Sequence, residues 1–260
     1  MEFFVLNFEK FMLVFARIMG LMFTATFFSS ESFLTEARLG LTFMITAVIF
    51  PVIYQFIPEI PRDFFSYALL AVGEGLIGAA IGFCIDICFS VYQLAGQFFT
   101  VQMGFGASEV FDPMSQIELP IIGQYLYILA VMVFLSLQGP ALVIQAIYHS
   151  FEFVTFSNFL NGQFIESPYG ILSLFAQMFV VALRISLPII GTLLLISVCM
   201  GLLAKAAPQM NLLMVGFPLS IGAGFIMILI LLPGLTEFIT TYIDQMFKNI
   251  WNLMLEINHG

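Results

Sequence analysis

The stretch Ile171-Leu-Ser-Leu-Phe-Ala-Gln-Met-Phe-Val-Val-Ala-Leu-Arg-Ile-Ser-Leu-Pro-Ile-Ile-Gly-Thr-Leu-Leu-Leu-Ile-Ser-Val-Cys-Met-Gly-Leu-Leu203 carries one charge, Arg184. A helix needs about 20 apolar residues to cross about 30 Å of hydrocarbon. This run exceeds that length and contains no alternation of the kind a β-strand shows. It belongs to a membrane-embedded helix too long for one straight crossing. It must kink, fold back or project beyond the bilayer.

Five more apolar runs surround it: Phe11–Phe28, Leu39–Ile57, Phe64–Thr100, Ile121–Ile147 and Leu212–Leu235. The first, second and last have the length of a single crossing. Phe64–Thr100 is overlong in the same way as Ile171–Leu203. The whole chain agrees with these runs. Of 260 residues, 61% are hydrophobic and 9% charged, and mean hydropathy is +1.08. A soluble domain of this size needs a far larger polar skin. The expected fold is an all-α integral membrane protein. It has about six hydrophobic helical segments, several long or broken by Pro and Gly, forming helical hairpins. Only helices or closed barrels satisfy their own backbone groups in lipid, and no barrel pattern is present. A single membrane domain is expected over 1–260, with no soluble domain. The N-terminus reads as a retained membrane segment, because Glu2, Glu9 and Lys10 stand where a cleaved signal would have a basic region.

The net charge of −9 argues against nucleic acid or anionic lipid as the main partner. It arises from scarce basic residues: Lys10, Arg17, Arg38, Arg62, Arg184, Lys205 and Lys248. Lys and Arg in short loops normally set orientation. Here they divide almost evenly between the two sides, so the rule gives no topology.

Punctuation within the runs is informative. Gly75, Gly78 and Gly82, and further on Gly216, Ser220 and Gly224, form small-residue stripes that allow close helix approach, within the chain or against other subunits. Gly139-Pro140 splits the fourth run. Pro188 with Gly191 interrupts the fifth, and Pro208, Gly216 and Pro218 crowd the start of the sixth. The segment of about 237–258 has Phe238, Tyr242, Met246, Ile250 and Leu253 at helical spacing, with Asp244, Lys248 and Glu256 elsewhere on the wheel. It reads as an amphipathic helix against a membrane surface or a partner, with Trp251 suited to an interface.

Ionisable residues inside the runs are functional candidates by default. They are Arg17, Glu74, Asp86 and Arg184. Each needs a partner or water, and Arg17 with Glu74 is one pairing the sequence allows without establishing it. Structural pairing and a transport role both fit. There is no HExxH, GxSxG, P-loop or Cys/His cluster, so no enzyme activity, metal or cofactor is expected. Cys84, Cys88 and Cys199 read as small apolar fillers.

The most unusual segment is Gln102-Met-Gly-Phe-Gly-Ala-Ser-Glu-Val-Phe-Asp-Pro-Met-Ser-Gln-Ile-Glu-Leu-Pro120. Gly104, Gly106 and Pro113 oppose a regular helix. Phe105, Phe111, Met114 and Ile117 give it apolar bulk, and Asp112 and Glu118 are among its few charges. A solvated loop has no need of so much Phe and Met. The segment at about 104–120 either packs on the protein or obstructs a cavity, where apolar side chains block water and ions by dewetting. Met re-packs readily when something passes.

Several stretches, read in order, resemble one family across nearly the whole chain. Arg17-Ile-Met-Gly20 precedes Phe28-Ser-Ser30 and Arg38-Leu-Gly40. Glu74-Gly-Leu-Ile-Gly78 leads to Gly82-Phe83, and Gly96-Gln97 to Gln102-Met-Gly-Phe-Gly106 and Asp112-Pro113. Last come Lys205-Ala-Ala-Pro208-Gln-Met-Asn211 and Gly216-Phe-Pro218. The pattern is similar to FliR, the flagellar biosynthesis family of the type III export gate. It departs from that pattern at Leu34, where members often carry Pro. The resemblance implies a non-enzymatic subunit of a helical hetero-oligomer with FliP-like and FliQ-like membrane proteins, beside FlhB-like and FlhA-like export components. Such an assembly sits in the bacterial inner membrane at the flagellar basal body and passes unfolded exported proteins. The resemblance also implies that the mid-chain segment plugs the closed pore, and that Pro208, Gln209, Met210, Asn211, Gly216 and Pro218 shape subunit contacts. The injectisome homologue shares these motifs. Outside the resemblance, a stand-alone secondary transporter with broken helices around a midplane site is the competing class, and an assembly scaffold without a pore is a third.

Overall fold

The computed structural model describes residues 7–25, 34–57, 60, 63–104, 121–156, 159, 167–209 and 211–259. Among these residues there is no strand, and the elements are helices α1 (Phe8–Thr24), α2 (Thr35–Ile53), α3 (Phe64–Met103), α4 (Ile121–Ser136), α5 (Gly139–Phe153), α6 (Ile171–Ala206) and α7 (Leu212–His259). A short 3-10 turn, Tyr54–Phe56, extends α2. The fold is all-α and its helices are those of a membrane protein.

Four helical stretches are long and apolar enough to cross a bilayer: Thr35–Phe56, Phe64–Met103, Ile171–Ala206 and Met214–Ile257. The broken pair α4 plus α5 makes a fifth if counted as one span. The overlong runs are single helices. α3 has 40 residues, α6 has 36 and α7 has 48. At 1.5 Å per residue these measure roughly 60, 54 and 72 Å, well beyond the hydrocarbon thickness. They run on as continuous helices rather than fold back.

The expected breaks divide into two groups. Between α4 and α5 the break is real: Gln138 adopts the left-handed conformation at φ 56, and Gly139-Pro140 opens α5 with Pro in its first turn, where a missing N–H costs nothing. Between α6 and α7 the helix stops at Ala206 and resumes at Leu212. By contrast, Pro188 lies inside α6, and Gly216, Pro218 and Pro233 lie inside α7. One proline frees one carbonyl, whereas ending the helix frees four carbonyls there and four N–H groups at the start of the next helix. An apolar surrounding makes the continuous helix the cheaper solution. The sixth run and the amphipathic segment of about 237–258 are likewise not separate, since both belong to α7.

The chain forms two compact units. The first comprises Met1–Cys88, Leu135–Ala176 and Ile243–Gly260; the second comprises Phe89–Phe134 and Gln177–Tyr242. In the first, α1 packs on α2 through edge-on contacts of Phe11 with Phe43 (5.4 Å) and Phe50 (5.5 Å). On its other side α1 lies directly on the glycine stripe of α3. A Cβ on Gly78 would overlap the Arg17 carbonyl, and one on Gly82 would overlap Thr24 Oγ1. Thr24 uses the proximity by donating to the Ala79 carbonyl at 3.1 Å. The stripe serves packing within the chain. The C-terminal part of α7 also packs here. Met246, Ile250, Leu253 and Met254 are buried, and Trp251 meets His149 of α5 edge-on at 4.0 Å. Asp244 and Lys248 form an exposed i,i+4 pair at 2.6 Å. The apolar face of this amphipathic segment is thus covered by the chain itself.

In the second unit α3 and α4 cross at Gly96 and Gly123, so closely that a Cβ on either would strike the other helix's backbone. Phe89 and Phe134 close this seam edge-on at 5.3 Å. Ser186 of α6 ties to the same helix by donating to the Ala95 carbonyl at 3.1 Å.

Candidate functional site

Two places gather the residues that stand out chemically. The first is the buried charge cluster of the first unit. An arginine in an apolar interior must have every donor occupied, because the alternative is an unpaired charge out of water. Arg17 meets that demand from two other helices, α3 and the end of α5. Its Nε donates to Glu74 Oε2 of α3 at 2.6 Å, and Nη2 lies 2.6 Å from the same oxygen. Nη1 donates to the Ser150 carbonyl at 2.6 Å, and Nη2 to the Val154 carbonyl at 3.1 Å. The guanidinium also lies 4.0 Å over the Phe151 ring. The Arg17 and Glu74 side chains are only 4% and 2% exposed.

The C-terminal end of α5 carries its negative dipole end, and although the Ser150 carbonyl already accepts the Val154 N–H at 3.0 Å, it also accepts from Arg17, as does the Val154 carbonyl just past the helix. Arg17 therefore caps α5 while neutralising Glu74. One side chain on α1 holds α3 and α5. Sequence reasoning singled out Arg17 and Glu74 but missed Ser150 and Val154. The available signal was the end of an apolar helix with no following Gly or basic residue of its own. The cluster's geometry is that of a structural clamp, fully satisfied and closed to water.

The second place is the end of α3 in the second unit. Gly104 terminates that helix at φ 87, donating its N–H to the Val101 carbonyl at 3.1 Å. A Cβ there would sit 2.6 Å from Cδ1 of Phe217 on α7. One residue earlier, Met103 fills the notch at Gly224, where a Cβ would come 2.6 Å from the Met methyl. Small residues at 104 and 224 thus let the end of α3 seat against α7. Close by, Thr100, Ile122, Tyr125, Phe225 and Ile228 border an apolar cavity of about 410 Å³. Phe217 was part of the quoted Gly216-Phe-Pro218 motif, but its role as the wall of Gly104 required the fold. Phe105, Gly106, Phe111, Asp112, Pro113, Met114, Ile117 and Glu118 lie outside the described residues, as does Met210.

The remaining motif residues sit at the α6–α7 connection. Pro208 and Gln209 form an exposed turn. Asn211 caps α7, its Oδ1 accepting from the Met214 N–H at 3.3 Å. A Cβ on Gly216 would meet the Met200 methyl at 3.7 Å, an ordinary contact, and Pro218 is exposed. Asp86 is half-buried on α3. Arg184 is exposed on α6 and has no hydrogen bond or ion pair among the described residues. On a lipid-facing helix centre such a charge costs about 2.5–3.5 kcal/mol on insertion scales. Among the described residues no His, Cys, Asp and Glu group is arranged to hold a metal.

Long continuous helices, an internal ion-pair clamp and extensive exposed apolar faces define an α-helical membrane protein. The profile of the family described as "Bacterial export proteins, family 1" matches residues 8–246. The flagellar biosynthetic protein FliR of Bacillus subtilis is 31% identical over 96% of this chain and 93% of its own length. FliR of Escherichia coli is 29% identical over 93% and 89%, and that of Aquifex aeolicus 27% identical over 91% and 90%. The chain belongs to the bacterial export protein family 1, that of the FliR flagellar biosynthetic proteins.

Proposed function

We propose that this chain is the FliR-type subunit of the flagellar type III protein export gate. In this role it completes, with FliP-like and FliQ-like membrane proteins, the helical pore through which unfolded flagellar proteins pass. It works in the bacterial inner membrane at the flagellar basal body, beside FlhB-like and FlhA-like components, and is not an enzyme. The observation that carries the proposal is the pair α6 and α7. Both are longer than a bilayer is thick, and only 17% and 11% of their apolar windows are buried by the chain itself. Such faces demand neighbours. The relatives described above are flagellar, which favours this role over an injectisome homologue.

Within the pore, the segment of about 104–120 is the plug, with Phe105, Phe111, Met114 and Ile117 as its apolar stopper. Gly104 anchors it, as the seat of Gly104 against Phe217 supports. Deleting 106–119 should leave assembly intact and make the resting gate leak ions, read as loss of membrane potential in expressing cells. Unchanged ion permeability removes the plug assignment.

A further inference from the structure

Arg184 breaks the logic that governs the chain's other deeply placed arginine. Arg17 is held by two of the chain's own helices, α3 and the end of α5, whereas Arg184 points outward from an apolar stretch of α6. Val180, Leu187, Leu194, Leu195 and Val198 on that helix are all more than half exposed. No other charged residue occurs between Ile171 and Ala204. Two further features meet at the same spot. Pro188 has no amide hydrogen to offer the Arg184 carbonyl four residues before it. One turn on, Gly191 has nothing within 4 Å of where its Cβ would be, so the helix backbone is bare. A guanidinium, a carbonyl lacking its helical donor and an uncovered stretch of backbone therefore adjoin on one apolar surface.

We infer that the Arg184–Gly191 face of α6 is the docking surface for an apolar helix of another subunit carrying a single Asp or Glu, which pairs with Arg184. The inference rests on the reading of this chain as one subunit of a membrane hetero-oligomer. Charge complementarity selects the occupant. A second copy of this chain meeting face to face would bring two Arg184 side chains together, and no Asp or Glu occurs between Gln177 and Thr236 to answer them. An all-apolar helix would bury the guanidinium unpaired. Gly191 lets the partner backbone come close, as small residues do between helices in lipid.

Two measurements on the full chain, co-expressed with the membrane proteins encoded beside it, test the inference. In the first, the yield of assembled complex is compared for Arg184→Leu and Arg184→Lys. Removing Arg184 leaves the partner carboxylate buried without a counter-charge. Assembly of Arg184→Leu should therefore fall at least about tenfold while Arg184→Lys keeps most of it. In the second, benzoylphenylalanine replaces Leu187 in a chain that keeps Arg184, which holds the test open if Arg184→Leu fails to fold. Illumination should yield an adduct with a partner peptide carrying Asp or Glu within one helical turn of the linked residue. Arg184→Leu assembling at the wild-type level, or adducts with lipid alone, would overturn the inference. In both of those cases co-purification of the chain with its partners would leave the export-gate proposal standing.

Discussion

Arg17 on α1 and Glu74 on α3 form a buried ion pair at 2.6 Å, and the arginine's remaining donors end on the last carbonyls of α5. The pair is a junction of three helices rather than a step in a relay, since each guanidinium nitrogen already has an acceptor. Breaking such a pair from one side is costly because the other charge stays behind. Glu74→Gln should destabilise the chain by about 3–5 kcal/mol. Arg17→Met should cost more, because it also strips the α5 terminus of its cap. Thermal unfolding in detergent, followed through the single Trp251, measures both. The double variant Arg17→Met/Glu74→Leu should be less damaging than the sum, leaving no lone charge.

The α1–α3 seam depends on missing side chains. Gly78→Ala would drive a methyl into the Arg17 carbonyl, a backbone atom that cannot step aside. Loss of stability of at least about 1–3 kcal/mol is expected, with a reduced yield of folded protein. Gly234→Ala is the control, since nothing lies within 4 Å of that position. Helix propensity alone then acts and should stabilise α7 by up to about 1 kcal/mol. Equal effects of the two substitutions would contradict the seam.

At Gly104 two penalties add. The φ of 87 is open to glycine but costs an L-residue about 1–2 kcal/mol, and a Cβ also meets Phe217. Gly104→Ala should lower the unfolding temperature, and Phe217→Ala in the same chain should recover the steric part but not the backbone part. If the plug is anchored here, Gly104→Ala should also change resting ion leakage, whereas a substitution at exposed Pro218 should not.

Asn211 should contribute locally rather than globally. Asn211→Ala removes the side-chain acceptor for the Met214 N–H and leaves only the Asn211 backbone carbonyl, at 3.1 Å. The first turn of α7 should lose about 0.5–2 kcal/mol of protection, read as faster amide exchange at Met214 with little change in the core of α7.

Long-range chemistry was the part of the fold hidden from sequence. Run lengths gave the overlong α3 and α6, and Gly139-Pro140 gave the α4–α5 break, because hydropathy and a proline in a first turn are local properties. Pro188, Gly216 and Pro218 misled for the converse reason. In lipid the cost of ending a helix exceeds that of one lost hydrogen bond, so these residues lie within helices. The continuity of α7 through Glu237–Asn258 was hidden by its change of texture from all-round apolar to amphipathic, which marks a change of surroundings, not of backbone. The Arg17–Glu74 pairing was open in the sequence, since a lone charge in an apolar run demands a partner without naming it. The α5 carbonyls that complete the site are backbone atoms and leave no side-chain signature.

The central claim, that this chain is one subunit of an export gate, is tested most directly by co-expressing it with the FliP-like and FliQ-like proteins of its own organism. The tagged product is then analysed by native mass spectrometry. The account predicts a defined hetero-oligomer containing this chain, released intact from detergent. A folded chain that emerges alone, with no FliP-like or FliQ-like partner bound, would contradict it and turn attention to a transporter acting by itself.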